Sequence, residues 1–213
     1  MYRLAAFRQD DLEAIDALIR DHPLGVLITN GDHGIKVSLI PFYLVQDGQD
    51  LKLRAHLARA NDQTADLAQG REALVMFLGP SAYVSPSWYA TKAETGRVVP
   101  TWNYAAVEAR GTPALKDDPV WLRAQIEELT QRQEGGRAHP WAVGDAPDDY
   151  VEAMIRAVVG VEIAVTALEG KWKVSQNQPE ANRLGVIDGL GGEDGGAAMA
   201  DLVAAYLKGD GRG

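Results

Sequence analysis

The hydrophobic pattern of the first eighty residues indicates one amphipathic helix followed by short strands. Asp10 and Asp11 precede apolar residues at helical spacing, which predicts a helix that begins there and ends at His22-Pro23. Apolar, β-branched runs then alternate with segments rich in Gly, Asn and Asp. They predict strands over 24–29, 35–45, 51–57 and 73–78, turns at 30–34 and 46–50, and a short helix or turn over 58–70. Pro41 requires the second strand to lie at a sheet edge or to contain a bulge.

Helical patterns return only in the second half of the chain. A long strand is predicted over 101–115, helices over 117–135 and 147–158, and two last strands over 161–166 and 172–175. In the first helix the expected inward positions are Val120, Leu122, Ile126 and Leu129. The apolar spacing of the second helix is given by Tyr150, Met154 and Val158. Consecutive strands with helices inserted late are typical of an antiparallel β-barrel with peripheral helices. The predicted fold class is therefore mainly β with peripheral helices (α+β).

Length and composition favour one globular domain, at 213 residues with 46% hydrophobic and 24% charged. We place it at residues 1–190 and interpret 191–213 as a flexible appendage, a Gly-rich linker with a short C-terminal helix over 197–207. The absence of cysteine excludes thiolate catalysis and cysteine-ligated metal, and the four histidines lack metal-site spacing, so no metal is expected. A net charge of −9 argues against a surface that coats DNA. With no long apolar run, a cytoplasmic protein is expected.

One stretch carries an unusual share of the aromatic residues. The aromatics between positions 83 and 104 are Tyr83, Trp88, Tyr89, Trp102 and Tyr104, and the same stretch contains Ser85, Ser87, Lys92, Arg97 and Thr101. Rings can stack on a flat ligand while cations and hydroxyls hold a phosphate, so the stretch predicts a site for a flat, anionic ligand. A hairpin loop over the barrel mouth, or a dimer interface, explains the same composition equally well.

Two further segments carry side chains suited to bind a ligand. The third predicted strand and its exit contain Arg54, His56, Arg59, Asn61 and Gln63. Alternation places the first two on one face, and the turn after them can present the others to a phosphate. Residues 171–177 (KWKVSQN) can reach a flavin or a partner subunit. The alternatives are a solvated strand edge for the first segment and a charged surface hairpin for the second.

Specific motifs occur in a fixed order along nearly the whole chain. Residues 79–89 read GPSAYVSPSWY and residues 99–107 read VPTWNYAAV, while Ala60-Asn61, residues 160–163 (GVEI) and residues 173–177 (KVSQN) fit the same order. In these motifs the chain resembles the PaiB-type family, known as FMN-binding negative transcriptional regulators. The resemblance runs from Met1-Tyr2 to about Leu190.

This resemblance implies a split β-barrel like that of pyridoxine-phosphate oxidases and flavin reductases. Such barrels form homodimers with an FMN in each of two clefts between subunits. Near the FMN phosphate the resemblance implies His56, Arg59, Asn61 and Gln63. Along the flavin and at its ring end it implies Ser38, Lys171, Ser175 and Gln176, and from the partner subunit Trp102 and Asn103.

The chain departs from the family pattern at Leu39, Asp62, Thr64 and Ser81, where the family often has His, Pro, Trp and His. A carboxylate at position 62 would repel a phosphate dianion. Three interpretations therefore stay open: a PaiB-like FMN-binding protein with a regulatory role, a flavin-dependent oxidoreductase or flavin reductase that uses NAD(P)H, and a split barrel that has lost FMN and binds another ligand or partner. No helix-turn-helix pattern supports direct binding of nucleic acid, and no catalytic residue is assigned.

Overall fold

The fold is an antiparallel sheet with helices at its periphery, which confirms the predicted fold class. A computed structural model describes residues 1–208. The strands are β1 (Arg8–Gln9), β2 (Leu24–Gly31), β3 (Gly34–Pro41), β4 (Tyr43–Asp47), β5 (Asp50–Ala58), β6 (Ala73–Val84), β7 (Thr101–Lys116) and β8 (Val158–Lys173). The helices are α1 (Leu12–Asp21), α2 (Gln63–Ala68), α3 (Thr91–Thr95), α4 (Pro119–Glu134), α5 (Asp148–Ala157), α6 (Glu180–Gly191) and α7 (Ala197–Leu207). The sheet order is β3-β2-β6-β7-β8-β5-β4, and β1 pairs with β8.

The chain divides into two compact units. The first unit comprises Met1–His22, Phe77–Glu108 and the segment from Glu169 onward, and the second comprises Pro23–Met76 and Ala109–Leu168. Strands β6, β7 and β8 contribute residues to both. None of the helices within residues 1–208 is both long and apolar enough to cross a bilayer.

The second unit contains two hairpins and its own buried core. Strands β2 and β3 pair from end to end and finish with Gly31 opposite Gly34, and β5 pairs with both β4 and β8. Alternation directs Leu27, Leu53 and Ile163 inward, and all three are fully buried. Burying each such side chain contributes roughly 1.5–3 kcal/mol. A further buried cluster between α4 and α5 consists of Leu122, Val143, Val151 and Ile155.

The first unit packs helices α1, α6 and α7 around the remaining parts of the strands. The carboxylate of Asp11 caps α1 by accepting the backbone N–H of Glu13 at 3.0 Å, and Ile15 and Ile19 are buried, as the helical spacing predicts. Close approach fixes two positions of α6, because a Cβ at Gly185 or Gly189 would lie 2.0 or 2.3 Å from atoms of Trp88. Glycine at both positions lets this helix lie directly on Trp88, against its backbone carbonyl at Gly185 and its indole at Gly189.

Several predicted strands have different bounds in the structure. The strand predicted over 35–45 is divided at Phe42, because Pro41 has no N–H to continue the ladder and Phe42 instead donates its own to the Pro23 carbonyl at 2.8 Å. Strand β3 lies at the sheet edge, as Pro41 requires. The strands predicted over 161–166 and 172–175 belong to one continuous strand, β8, which ends at Lys173 and in which Gly170 lies opposite Gln9 of β1.

The predicted inward faces of the two later helices are partly wrong. Leu122 is buried, but Val120 is 77% exposed because it lies in the first turn of α4. In α5 the buried residues are Val151 and Ile155, one position beyond the exposed Tyr150 and Met154. The apolar surface left on these helices is exposed in the single chain.

The C-terminal helix predicted over 197–207 is confirmed as α7, but it is not an appendage. Met199 and Val203 are buried, and α7 packs on α6, which the sequence analysis did not predict. Residues 209–213 of the predicted appendage lie outside the described residues. The domain boundary after residue 190 stays a prediction.

Candidate functional site

A shallow groove in the second unit brings together Lys36 and Ser38 of β3 with Asn61, which follows β5. We call it the β3 groove; its volume is about 610 Å³. The Asn61 amide donates to the Ser38 hydroxyl at 3.1 Å, while its carbonyl oxygen accepts the backbone N–H of Gln63 at 2.9 Å. Because the Ser38 oxygen accepts this bond, its own proton remains available to a ligand.

The cation of the β3 groove is held by a buried carboxylate. The Lys36 ammonium donates to the Asp62 carbonyl at 3.0 Å and forms an ion pair with Asp66 at 3.2 Å. Burial opposes ionisation of Asp66, but hydrogen bonds from Thr29 and Lys36 outweigh it and keep the pKa of Asp66 below its usual range. Lys36 is therefore a positioned donor whose charge is partly neutralised.

The three other predicted phosphate residues are already bonded to protein groups of the second unit. His56 Nδ1 lies 2.8 Å from Gln125 Oε1 on α4. Arg59 donates to both carboxylate oxygens of Asp117 and to two backbone carbonyls. Gln63 is buried, and its amide donates to the backbone and side-chain oxygens of neighbouring strands. The structure therefore joins Ser38, Asn61 and Gln63 in one hydrogen-bond network at the β3 groove, whereas His56 and Arg59 bond residues outside it.

Arg54, also considered as an anion ligand, is committed to an ion pair. Its guanidinium donates to Glu162 at 2.8 Å, and Lys116 lies 3.3 Å from the other carboxylate oxygen. Burial opposes ionisation of Glu162, but Arg54 and Lys116 outweigh it and lower its pKa. This cluster stabilises the second unit.

In the first unit, a pocket of about 230 Å³ lies between the start of β7 and the end of β8. We call it the β7–β8 pocket. Asn103 and Ser175 line it, both buried, and the Asn103 amide donates to the Ser175 hydroxyl at 2.9 Å. Ser175 adopts a left-handed backbone conformation with φ 61°, which disfavours residues with a Cβ. Lys173 lines the same pocket.

The other predicted ring-end residues have separate positions in the first unit. Trp102 is 58% exposed, and its ring meets that of Tyr83 edge-on at 6.2 Å. The Lys171 ammonium lies 5.2 Å from the centre of the Tyr104 ring, a cation–π distance. Gln176 closes a turn by accepting the backbone N–H of Val174 and donating to the Trp172 carbonyl. Asn103 and Ser175 are thus brought together, Trp102 faces outward and Gln176 is used locally.

The positions that depart from the family pattern are near the surface. Leu39 is 62% exposed on β3, and Asp62 and Ser81 are exposed as well. Thr64 donates its hydroxyl to the Asn61 carbonyl at 2.8 Å and so supports the turn that presents Asn61. The Asp62 side chain is the acidic group of the β3 groove.

Lys36 was not among the predicted site residues, and Lys173 was included only as part of the candidate segment 171–177. Lys36 precedes Ser38 by two residues on β3, so period-two alternation could have found it. Lys36 therefore shares a strand face with a predicted hydroxyl. Lys173 is the last residue of β8, and Ser175 lies beyond the strand. Among residues 1–208, no three acidic or histidine side chains assemble into a metal site.

Comparison with known families identifies the chain. The family described as “Putative FMN-binding domain” matches residues 1–167. The chain belongs to this family. The FMN-binding-domain family covers all of β1 to β7 and most of β8, and so includes the β3 groove and Asn103.

Relatives extend the family match to the whole chain. An uncharacterized protein of Emericella nidulans is 38% identical over 95% of this chain and 96% of its own length. The protease synthase and sporulation protein PAI 2 of Bacillus subtilis is 28% identical over 98% of this chain and 99% of its own length, which confirms the PaiB-type resemblance. The solved FAD and heme binding protein from Mycobacterium smegmatis is 19% identical over 78% of this chain and 73% of that chain, with a TM-score of 0.58, and so shares the fold. The expected split-barrel fold is confirmed.

Proposed function

We propose that this protein binds FMN as a homodimer, with each flavin in a cleft between the two copies. The observation that carries the proposal is the donor set of the β3 groove in a chain of the FMN-binding-domain family. The Lys36 ammonium, the Ser38 hydroxyl and the Asn61 amide are the donor types that suit a phosphate dianion. Because Asp66 partly neutralises Lys36, hydrogen bonds contribute more than net charge.

The ring end of the flavin is proposed to contact the first unit of the partner. Trp102 is well exposed and offers a face for stacking, and Asn103 and Ser175 offer an amide and a hydroxyl for the polar edge of the ring. Lys171 and Gln176 complete this proposed set. His56, Arg59 and Gln63 support the fold near the phosphate through the contacts described above, and we propose no direct contact of these three with FMN.

An apolar sheet face in the second unit supports the homodimer. Edge strand β3 exposes Ile35, Val37 and Leu39, which alternate along one face. The strand register places Val37 opposite Ile28 and Leu39 opposite Val26, so the face continues onto β2. A contiguous exposed apolar patch marks an interface, and we propose a second copy of this chain as its occupant.

When bound, FMN supplies the redox chemistry, and the residues of this chain bind and orient it. Asn61 fixes the Ser38 hydroxyl through its amide, and its own carbonyl is held by the Gln63 N–H. Lys36 cannot swing freely, because Asp66 and the Asp62 carbonyl hold its ammonium. The groove therefore presents donors in fixed positions, which reduces the entropy lost on binding.

A regulatory role of the PaiB type is the finer part of this proposal, supported by the full-length similarity to PAI 2. The net charge of −9 opposes a direct contact with DNA, so we propose a role in the cytoplasm that does not use one. A mobility-shift assay with promoter DNA at low salt is expected to give no shift. A saturable shift would contradict this.

Flavin reduction by NAD(P)H is the second candidate function, favoured by the cations Arg97 and Lys173 that line the β7–β8 pocket. Oxidation of NAD(P)H is expected to exceed the rate with free FMN at equal flavin concentration. A rate equal to that of free FMN would remove this candidate.

Titration with FMN tests the binding proposal. We expect saturable quenching of flavin fluorescence at one FMN per subunit, and weaker binding of riboflavin, which lacks the phosphate. Equal affinity for the two flavins would contradict the assigned phosphate contacts. No binding of either would instead support a split barrel that has lost FMN.

A further inference from the structure

The β7–β8 pocket is lined by cations and neutral polar groups. Its wall includes Arg97 from the loop before β7, Thr101 and Asn103 from β7, Lys173 at the end of β8 and Ser175 just after it. No carboxylate of the described residues lines it. This is a local excess of positive charge in a chain whose net charge is −9.

Among residues 1–208, Lys173 has no carboxylate as a counter-ion. Its ammonium donates to the Thr101 hydroxyl and to the Trp102 carbonyl at 2.6 Å, both neutral acceptors. Burial, and then the nearby charge of Lys171, lower the pKa of Lys173, and no carboxylate acts in the opposite direction. A partly desolvated cation of this kind gains stability from an anion placed beside it.

Arg97 provides a second, more exposed donor at the same pocket. Within residues 1–208 its guanidinium forms no hydrogen bond or ion pair, although its backbone N–H donates to Thr95. A guanidinium presents paired N–H groups that match the oxygens of a carboxylate or a phosphate. The two cations reach the pocket from different segments of the first unit, as a site that encloses a small anion requires.

The neutral wall of the pocket is held in place. Asn103 and Ser175 are buried and bonded to each other, and Ser175 keeps its left-handed backbone conformation although glycine would adopt it more readily. This bond keeps an amide and a hydroxyl beside the cations. The volume of about 230 Å³ lies below the ~300–1,000 Å³ typical of pockets for drug-sized ligands, so the pocket suits a small molecule.

We propose that the β7–β8 pocket binds a second, small ligand through a carboxylate or phosphate group, with Arg97 and Lys173 as its charged donors. Neither residue belongs to the proposed FMN contacts, so anion binding does not depend on the proposed function. Asn103 and Ser175 belong to both sets. The placement of this anion beside the flavin therefore rests on the proposed function, and it is where an anionic substrate or electron donor would lie.

Titration of the full chain with inorganic phosphate and, separately, with acetate tests the proposal at constant ionic strength. The readout is the amide shifts of Ser175 and Asn177 in ¹H–¹⁵N spectra, which need no flavin. We expect saturable shifts with at least one of the two anions. Binding is expected to weaken about tenfold or more in Arg97→Gln and Lys173→Met, since each removes a charge-assisted hydrogen bond.

Lys92→Gln is the matched control, because Lys92 is an exposed cation of the same loop region that bonds Ser87 outside the pocket. It is expected to leave the anion affinity unchanged. Arg97→Gln keeps the test decisive even where Lys173→Met fails to fold, since the Arg97 side chain is exposed. Absence of saturation with both anions, or equal weakening by Lys92→Gln and Arg97→Gln, would overturn the proposal.

Competition separates this proposal from FMN binding. Saturable, Arg97-dependent binding of phosphate in a protein that binds no FMN would support the anion pocket and contradict only the proposed function. Where FMN binds, phosphate is expected to bind alongside it. Displacement of FMN by phosphate, together with weaker FMN binding in Arg97→Gln, would mean that the pocket holds the flavin phosphate and would overturn the second ligand.

Discussion

The Asn103 amide donates a hydrogen bond of 2.9 Å to the hydroxyl of Ser175, 72 residues further along the chain. Both side chains are buried, so neither can replace this bond with one to water. The bond joins the start of β7 to the segment that follows β8, and it fixes one wall of the β7–β8 pocket. It therefore serves the stability of the first unit and the geometry of its pocket together.

Asn103→Ala is expected to lower the free energy of unfolding by about 1–3 kcal/mol, because it leaves a buried hydroxyl without its partner. Urea unfolding at neutral pH measures the change. Ser87→Ala, which removes an exposed hydroxyl of the same unit, is the control and should change stability by less than about 0.5 kcal/mol. A similar small effect of Asn103→Ala would show that the buried bond contributes nothing.

Gly189→Ala is expected to destabilise the protein by about 1–3 kcal/mol, because the new Cβ would meet the Trp88 indole at 2.3 Å. Gly191→Ala is a matched control in the same helix, where a Cβ meets nothing within 4 Å. It should be neutral or stabilising by up to about 1 kcal/mol. Thermal unfolding followed by Trp fluorescence compares the two, and equal effects would contradict the packing of α6 on Trp88.

The ion pairs of Glu162 predict a pH dependence. Its folded-state pKa is lowered by Arg54 and Lys116, so the paired carboxylate stabilises the fold fully above its unfolded pKa of about 4.3 and loses this effect as the pH falls through the folded value. Glu162→Gln should cost roughly 1.5–3 kcal/mol at pH 7. The difference from the wild type should shrink as urea unfolding is repeated at pH values below about 4.3. If the difference in unfolding free energy stays constant from pH 7 to pH 3, the cost of Glu162→Gln comes from lost packing and not from lost charge.

Val37→Asp is expected to convert the proposed dimer to a monomer, because it puts a charge on the exposed apolar face of β3. Sedimentation velocity measures the mass. Val120→Asp is the control, since Val120 is 77% exposed on α4, outside that face. The assigned interface would be contradicted if Val37→Asp stays dimeric like Val120→Asp, or if the wild type is a monomer.

Alternation and turn residues in the sequence predict most of the fold, because strands such as β2 and β5 each bury one face. Three features escape this reasoning for physical reasons. Helix α6 contains Gly185 and Gly189, which lower helix propensity but are required by contact with Trp88. The division at Phe42 depends on a long-range hydrogen bond to Pro23, and the exposed position of Val120 depends on where α4 begins.

The sequence predicted which residue types form the candidate site better than it predicted the contacts between them. The sequence predicts Ser38, Asn61, Asn103 and Ser175 as site residues. The fold joins them in two hydrogen-bonded pairs, Asn61 with Ser38 and Asn103 with Ser175. It cannot reveal that Arg59 is held by Asp117, because that acidic partner lies 58 residues away. Local pattern identifies donors, but the tertiary fold decides which of them are already occupied.

The central claim is that each FMN lies between the second unit of one copy and the first unit of its partner. Asn61→Ala and Trp102→Ala should each weaken FMN binding by about 1–3 kcal/mol in their own homodimers. The most direct test is to mix the two variants in equal amounts after unfolding and refolding, and to titrate the mixture with FMN. In the mixed dimer, one cleft combines the intact Asn61 of one copy with the intact Trp102 of the other. The account predicts that wild-type affinity returns in about a quarter of all sites, as random pairing of two-fold dimers requires. A mixture that binds FMN no better than the two separate variants would contradict it.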